Sequence, residues 1–325
     1  MKLRTYEERW PIAGVFTISR GSKTEAAVVV VELDSGEARG RGECTPYPRY
    51  GETVDGVIAA IEAVRPALEA GADRIALQTL LPPGAARNAV DCAFWDLESK
   101  QAGLRAWTLA GLPAPGPVTT CFTISLADAA KMAADASAAA GRPWLKLKIG
   151  GPDDLARVEA VHESAPAAQL VVDANEALPF EDLKRLAPDF KRLGVTMIEQ
   201  PLPAGSDEAL EGYASPILLC ADESLHLPGD LDLCARRYGC VNIKLDKTGG
   251  LTEALALTAR ARAAGLEIMA GCMVATSLSM APAMLIAQGA AVVDLDGPLL
   301  LAKDREPGLR YEGSTIYPPD AALWG

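Results

Sequence analysis

Histidine is almost absent from this chain: His162 and His226 are the only two. Neither stands in an array of further histidines or cysteines, which argues against a soft-metal site. The seven cysteines (Cys44, Cys92, Cys121, Cys220, Cys234, Cys240 and Cys272) are odd in number, contain no C-x-x-C pair and mostly sit in apolar runs. They read as small buried hydrophobes in a reducing compartment, not as a disulfide framework. Excess positive charge is also lacking. Thirty-one Lys and Arg face 43 Asp and Glu, a net charge of −12, which argues against nucleic acid and against an anionic membrane surface. A local lysine cluster can still receive an anionic substrate. No run approaches the roughly 18 apolar residues of a membrane span, and Met1-Lys-Leu-Arg-Thr-Tyr-Glu-Glu8 has no apolar core of signal-peptide length. The expectation is a cytoplasmic protein with no membrane and no nucleic-acid partner. A homo-oligomer is compatible with all of this.

What is present is a globular composition, 325 residues of which 49% are apolar and 23% charged. That is enough for a barrel of about 200–250 residues and a smaller domain. Val28-Val-Val-Val-Glu-Leu33, a turn at Asp34-Ser-Gly-Glu37 and a return over 38–42 predict a β-hairpin. Two loops, Thr17–Thr24 and Glu43–Gly51, carry Gly or Pro with basic and aromatic residues, a composition suited to a lid. Helices are expected over 54–70 and 85–101. The proline-stiffened Leu112-Pro-Ala-Pro-Gly-Pro117 is the clearest linker. It divides a first domain (1–112) from a repeating unit (113–298) and a tail (299–325) that runs back to the first domain. Strands are expected near 118–124, 144–149, 169–173, 195–199, 217–221, 240–245, 266–271 and 290–295, with alanine-rich helices between them.

The chemistry centres on Trp144-Leu-Lys-Leu-Lys-Ile-Gly150. Strand alternation puts Lys146 and Lys148 on one face and the aliphatic residues on the other. Taken alone, an edge strand in water explains this best, since lysine is rarely buried. The following segments change the reading. Apolar runs end in turn at Asp173, Glu199, Asp222 and Lys244, each 22 to 26 residues beyond the last. That spacing is one strand plus one helix, and a parallel barrel collects its strand ends at one mouth. Asp173, Glu199 and Asp222 form a hard oxygen set suited to Mg²⁺. Lys148 and Lys244 then stand on opposite sides of the cluster. A cation on a substrate carboxylate stabilises the enediolate formed when the α-proton leaves. A lysine whose pKa is lowered by burial and crowded positive charge can act as base, and its opposite number as acid. A base on each face makes a racemase or epimerase. Lys146 would depress Lys148 and hold the substrate carboxylate. The plainer alternative for Lys244 is an ion pair with Asp246. Asp294 and Asp296 alternate onto the mouth side and favour a substrate ammonium; a turn or helix-cap role explains them equally well. Gly271, before Cys272 and Met273, leaves room for a ligand or backbone approach.

Several motifs together resemble the enolase superfamily, its muconate-lactonizing subgroup, and within it the dipeptide epimerases of the L-Ala-D/L-Glu type. They are Gly42-Glu-Cys-Thr-Pro-Tyr-Pro-Arg-Tyr-Gly-Glu52, Lys146-Leu-Lys148, Val172-Asp-Ala-Asn-Glu176, Ile198-Glu-Gln-Pro-Leu-Pro203, Cys220-Ala-Asp-Glu-Ser224, Asn242-Ile-Lys-Leu-Asp-Lys-Thr-Gly-Gly250 and Asp294-Leu-Asp-Gly-Pro298. The superfamily pairs a Lys or His base with Mg²⁺. The resemblance implies an α/β fold: a modified TIM barrel, (β/α)₇β, under an N-terminal α+β capping domain that the C-terminal tail completes. It implies acid/base roles for Lys148 and Lys244 and Mg²⁺ ligation by Asp173, Glu199 and Asp222. Substrate contacts fall to Lys146, Arg20, Lys23, Tyr47, Cys272 and Met273, and capture of a dipeptide ammonium to Asp294 and Asp296. The implied activity inverts the C-terminal α-carbon of L-Ala-D-Glu, in peptidoglycan-peptide or D-glutamate metabolism. An N-acyl glutamate racemase, and a lyase of the o-succinylbenzoate synthase or cycloisomerase kind, are the rivals on the same scaffold.

Overall fold

The computed structural model describes residues 1–151 and 153–325. Three antiparallel strands, β1 (Lys2–Ile18), β2 (Gly21–Asp34) and β3 (Arg39–Cys44), form the N-terminal sheet in that order. The Val28–Val31 run is buried on both faces, which is why it is apolar without alternation. Val29 and Val31 pack with Val57, Ile61 and Leu77 of the capping helices. Val28 and Val30 join the large core shared with the barrel. Helices at Val54–Glu69 and Arg74–Leu80 start on the side chains of Thr53 and Asp73, each accepting from a backbone N–H of the first turn. The helix Ala85–Ala102 lies directly on β3. Gly40 and Gly42 permit that approach, because a Cβ on either would stand 2.1 Å from a carbonyl oxygen of Ala93 or Ala89.

The segment Thr17–Thr24, expected as a loop, is a hairpin tip. β1 continues to Ile18 and pairs Phe16 with Lys23 and Ile18 with Gly21. Pairing extends the β-branched flanks, and the turn narrows to Ser19-Arg20 before Gly21 at φ 145°.

The barrel strands follow. After β4 (Val118–Thr119) come β5 (Phe122–Ile124), β6 (Trp144–Lys148), β7 (Gln169–Asp173) and β8 (Val195–Glu199). Then come β9 (Leu218–Ala221), β10 (Cys240–Ile243), β11 (Glu267–Gly271) and β12 (Val292–Asp294). β5 to β12 pair in sequence order as one eight-stranded sheet, and Cys121 N donating to Val293 O at 2.8 Å joins its two ends. This is the TIM-barrel-like α/β fold that the repeat implies. The single strand expected over 118–124 is divided. β4 pairs instead with the tail hairpin β13 (Tyr311–Glu312) and β14 (Thr315–Ile316). The tail also reaches the cap: Trp324 Nε1 donates to Cys92 O and Gly325 N to Asp96 Oδ1.

Alternation along the barrel strands sorts side chains between two environments. Leu145, Leu147, Leu170, Val172, Ile198, Val241 and Ile243 face the surrounding helices. Cys121, Val171, Met197, Cys220, Cys240, Met269 and Val292 form one packed layer inside the barrel. Continuing each strand by two residues from that layer carries the polar groups to its C-terminal mouth. Among the described residues no helix is long and apolar enough to cross a membrane.

Candidate active site

A cavity of about 740 Å³ opens between the barrel mouth and the cap. Barrel residues Lys146, Lys148, Asp222, Lys244, Asp294 and Asp296 line it, together with Cys272 and Met273. Arg20, Lys23 and Tyr47 line it from the cap. Asp173 and Glu199 lie beneath this lining, fully buried. The register makes neighbours of Lys148, Asp173 and Glu199 on β6, β7 and β8. Lys148 on β6 and Lys244 just past β10 are four strands apart in a ring of eight, so they face each other across the mouth.

The lysines and carboxylates interleave. Lys148 Nζ is 2.5 Å from Asp173 Oδ2. Lys244 Nζ is 2.7 Å from Asp222 Oδ2 and 3.9 Å from Glu199 Oε1. Lys146 Nζ meets Asp173 Oδ2 at 3.1 Å, Glu199 Oε2 at 2.6 Å and Asp294 Oδ2 at 2.7 Å. The Glu199 approach is off the line of a hydrogen bond and leaves Oε2 without one. Burial works against the Lys146 charge, but Asp294, Glu199 and Asp173 outweigh it and hold its pKa well above the ordinary lysine value. Lys244 behaves likewise: burial lowers it, and Asp222 and Glu199 more than reverse the effect. The expectation of a lysine depressed toward neutrality is therefore not met at Lys244, because its nearest neighbour is a carboxylate and not another ammonium. Asp173 is held below the usual carboxylate range: burial opposes ionisation, but Lys148 and Lys146 win. Asp222 is depressed in the same way by Lys244 and Lys247. Glu199 goes the other way, to about 7, through burial and then the Asp173 charge. Lys244 does not pair with Asp246. That acid accepts from Thr45 N at 3.0 Å and Asn88 Nδ2 at 2.9 Å, which ties barrel to cap.

Asp173, Glu199 and Asp222 provide hard oxygen donors on successive strands. Among the described residues no three His, Cys, Asp or Glu side chains converge as a ready-made metal cage, because the lysine ammoniums stand between the carboxylates. The donor chemistry nevertheless fits a hard divalent ion. Glu199 Oε2 is buried and lacks a hydrogen-bond partner, and burial with the Asp173 charge outweighs the nearby lysines and raises the pKa of its carboxyl.

At the cap, Arg20 fastens the hairpin tip to the barrel. It donates to Asn175 O at 2.9 Å, Tyr47 Oη at 2.8 Å and Glu223 Oε1 at 2.7 Å. Arg49 grips Glu176 through two 2.8 Å bonds. Lys23, near the Phe16 ring and Lys148, is pushed down to about 8 by burial and then by the Lys148 charge. Asp296 Oδ2 accepts from Thr123 N at 2.7 Å, and burial followed by Asp294 raises its pKa to about 7. The room beside Gly271 is taken by the Asn242 amide, since a Cβ there would be 2.4 Å from Asn242 Oδ1.

Four residues near the site carried no separate signal in the sequence. Gln200, at φ 34°, accepts from Asp222 N and Ser224 N. Asn242 donates to Glu199 Oε1 at 2.7 Å. Glu223 anchors Arg20. Lys247 holds Asp222 from behind. Lys247 and Asn242 lie within the motif 242–250, but periodicity does not reveal which way a residue of the short helix Leu245–Thr248 points.

Residues 1–111 match the family described as mandelate racemase / muconate lactonizing enzyme, N-terminal domain, and residues 128–322 match enolase C-terminal domain-like. The L-Ala-D/L-Glu epimerase of Escherichia coli (strain K12) is 46% identical over 317 residues, which cover 97% of this chain and 99% of that protein. An N-acetyl-D-glutamate racemase of Pseudoalteromonas sp is 42% identical over 92% of this chain and 95% of its own. A crystal structure of an Agrobacterium tumefaciens enolase family member superposes with a TM-score of 0.97 at 53% identity, over 99% of both chains. That protein is described as homologous to dipeptide epimerases and was solved with sodium, L-Ala-L-Glu and an ordered loop.

Proposed function

This chain belongs to the mandelate racemase / muconate lactonizing enzyme family of the enolase superfamily, and from that premise we propose that it is an isomerase, a dipeptide epimerase that inverts the C-terminal α-carbon of L-Ala-D-Glu and L-Ala-L-Glu. The observation that carries the reading is the placement of Lys148 and Lys244 on opposite sides of one cavity. A substrate α-carbon between them presents its proton to one lysine in one epimer and to the opposite lysine in the other. One lysine, as the free amine, removes the proton, and the planar carbanionic intermediate takes a proton from the opposite lysine. In this reading Asp173, Glu199 and Asp222 would hold Mg²⁺, which would supply the positive charge that makes an α-proton beside a carboxylate acidic enough to remove. Asp222 is the present partner of Lys244, and a bound cation would draw on the same carboxylate charge that now raises the Lys244 pKa. Arg20 and Lys23 are the cationic groups for the glutamyl side-chain carboxylate, and Asp294 and Asp296 the anionic pair for the dipeptide ammonium. Such a substrate fits the metabolism of peptidoglycan peptides or D-glutamate.

The test is to incubate each epimer separately in D₂O and follow mass and configuration together. Both should gain one deuterium and converge on a common mixture; no α-exchange in either would overturn the assignment. The Pseudoalteromonas relative favours a second reading, racemisation of N-acetylglutamate, which the same assay covers. Chelation should abolish exchange and Mg²⁺ should restore it. Asp222→Asn should weaken Mg²⁺ binding, since one of three anionic ligands is lost.

Lys23 gives the reaction a pH signature. Its ammonium is charged below about 8 and neutral above, so KM for L-Ala-D-Glu should rise as pH climbs through that value. Lys23→Arg stays charged throughout and should flatten the rise. The substrate amine titrates identically with both proteins, so the difference between their profiles belongs to Lys23. Coincident profiles would remove Lys23 from side-chain recognition.

A further inference from the structure

The three carboxylates share a feature beyond their placement. Each has one oxygen tied to a fixed donor of the protein and the other turned to the cavity lysines. Asp173 Oδ1 accepts from Asn175 N at 3.0 Å. Glu199 Oε1 accepts from Asn242 Nδ2 at 2.7 Å. Asp222 Oδ1 accepts from Lys247 Nζ at 2.7 Å. The oxygens left over are Asp173 Oδ2 on Lys148, Asp222 Oδ2 on Lys244, and Glu199 Oε2 with no hydrogen bond.

Lys247 differs from the cavity lysines. It does not line the cavity and is only 1% exposed. Its three N–H donors are all used, on Asp222 O at 2.6 Å, Asp222 Oδ1 at 2.7 Å and Asn242 O at 3.0 Å. Gln200 Oε1 accepts from Asp222 N at 2.9 Å. Asp222 is thereby gripped at its N–H, its carbonyl and Oδ1, with Oδ2 turned to Lys244 at the cavity. Asn242, whose carbonyl helps to seat Lys247, performs the same service for Glu199 through its side chain.

We propose that Lys247 and Asn242 are positioning residues that restrict Asp222 and Glu199 to one metal-facing oxygen each, and so set the site's preference for Mg²⁺ over Ca²⁺. This rests on the metal-site reading above. Mg²⁺ takes six oxygens at near-ideal octahedral geometry and suits one oxygen per carboxylate, whereas Ca²⁺ takes six to eight and gains from two-oxygen carboxylates. Reserving one oxygen on each acid therefore penalises the larger ion.

The experiment measures Mg²⁺ and Ca²⁺ dissociation constants by calorimetry on the full chain, for wild type, Lys247→Met and Asn242→Ala, with circular dichroism to confirm folding. Each variant frees one oxygen, so the affinity for Ca²⁺ relative to Mg²⁺ should rise about tenfold or more. A ratio within about twofold of wild type in a folded variant overturns the proposal. Lys247→Arg keeps a cation on Oδ1 and should keep the ratio near that of wild type. If neither variant folds, the wild-type structure with Ca²⁺ decides. Asp222 Oδ1 should remain on Lys247, and its appearance on the ion overturns the inference. Wild type that binds no divalent ion would instead bring down the metal-site reading itself.

Discussion

Replacing either Lys148 or Lys244 with alanine should abolish epimerisation and leave α-proton exchange with only one of the two epimers. A round trip needs a group on each face of the planar intermediate, and water does not replace a positioned acid or base without a loss of about 10²–10⁴ in rate. The surviving lysine can still remove and return a proton on its own side, so the single mutants should exchange complementary epimers in D₂O. Loss of a buried cation often unfolds a protein by stranding its partner charge, but here each partner has a second cation. Asp173 keeps Lys146 at 3.1 Å when Lys148 is removed, and Asp222 keeps Lys247 at 2.7 Å when Lys244 is removed. Both variants should therefore remain folded by circular dichroism, and the loss should be chemical. Near-wild-type epimerisation by either mutant would end the two-lysine mechanism, and exchange of the same epimer by both would end the opposite-face assignment.

The barrel was legible because its signal is local and repeated. Alternation in Trp144–Lys148 puts Lys146 and Lys148 on one face, and the near-constant step from Lys148 to Lys244 reads as strand plus helix, which turns that face to the barrel mouth. Where pairing partners are far apart in sequence, the pattern misleads. Val118–Thr119 looks like the start of a barrel strand, yet residues almost two hundred positions later draw it into the tail hairpin. Thr17–Thr24 looks like a loop because Ser19, Arg20 and Gly21 dominate its composition, and only the cross-strand register shows the hairpin. The buried supports were the least visible. Lys247 is one of 31 basic residues, and nothing local separates it from a solvated lysine on a short helix. Its role follows from the Asp222 carbonyl and carboxylate arriving on the same ammonium. The same holds for Asp246, where a plausible partner two residues away loses to Thr45 and Asn88 from the cap. Sequence pattern thus places groups on a face, while the sign and size of their charge interactions wait for the tertiary neighbours.

Those neighbours give the substrate's amine the sharpest test. Asp296→Asn should lower kcat/KM for L-Ala-D-Glu about 30-fold or more, since truncating one partner of a buried charge pair costs on the order of 2–5 kcal/mol. Asn is the informative replacement because its side-chain oxygen can still accept from Thr123 N, the bond that Asp296 Oδ2 now receives at 2.7 Å. Asp294 is not a substitute: its Oδ2 is engaged by Lys146 at 2.7 Å, although Oδ1 has no hydrogen-bond partner. Burial and the neighbouring Asp294 push Asp296 up to about 7, and a dipeptide ammonium would place a positive charge beside it. The affinity gain from that ammonium should therefore weaken as pH falls below about 7, where Asp296 is protonated. N-acetylglutamate carries no such charge and meets only repulsion from the pair, so the same substitution should improve its turnover. Steady-state kinetics of both substrates on wild type and variant decide the matter. Wild type that already prefers N-acetylglutamate, with the variant unchanged toward both, would hand the site to the racemase reading and leave Asp296 a structural acceptor for Thr123.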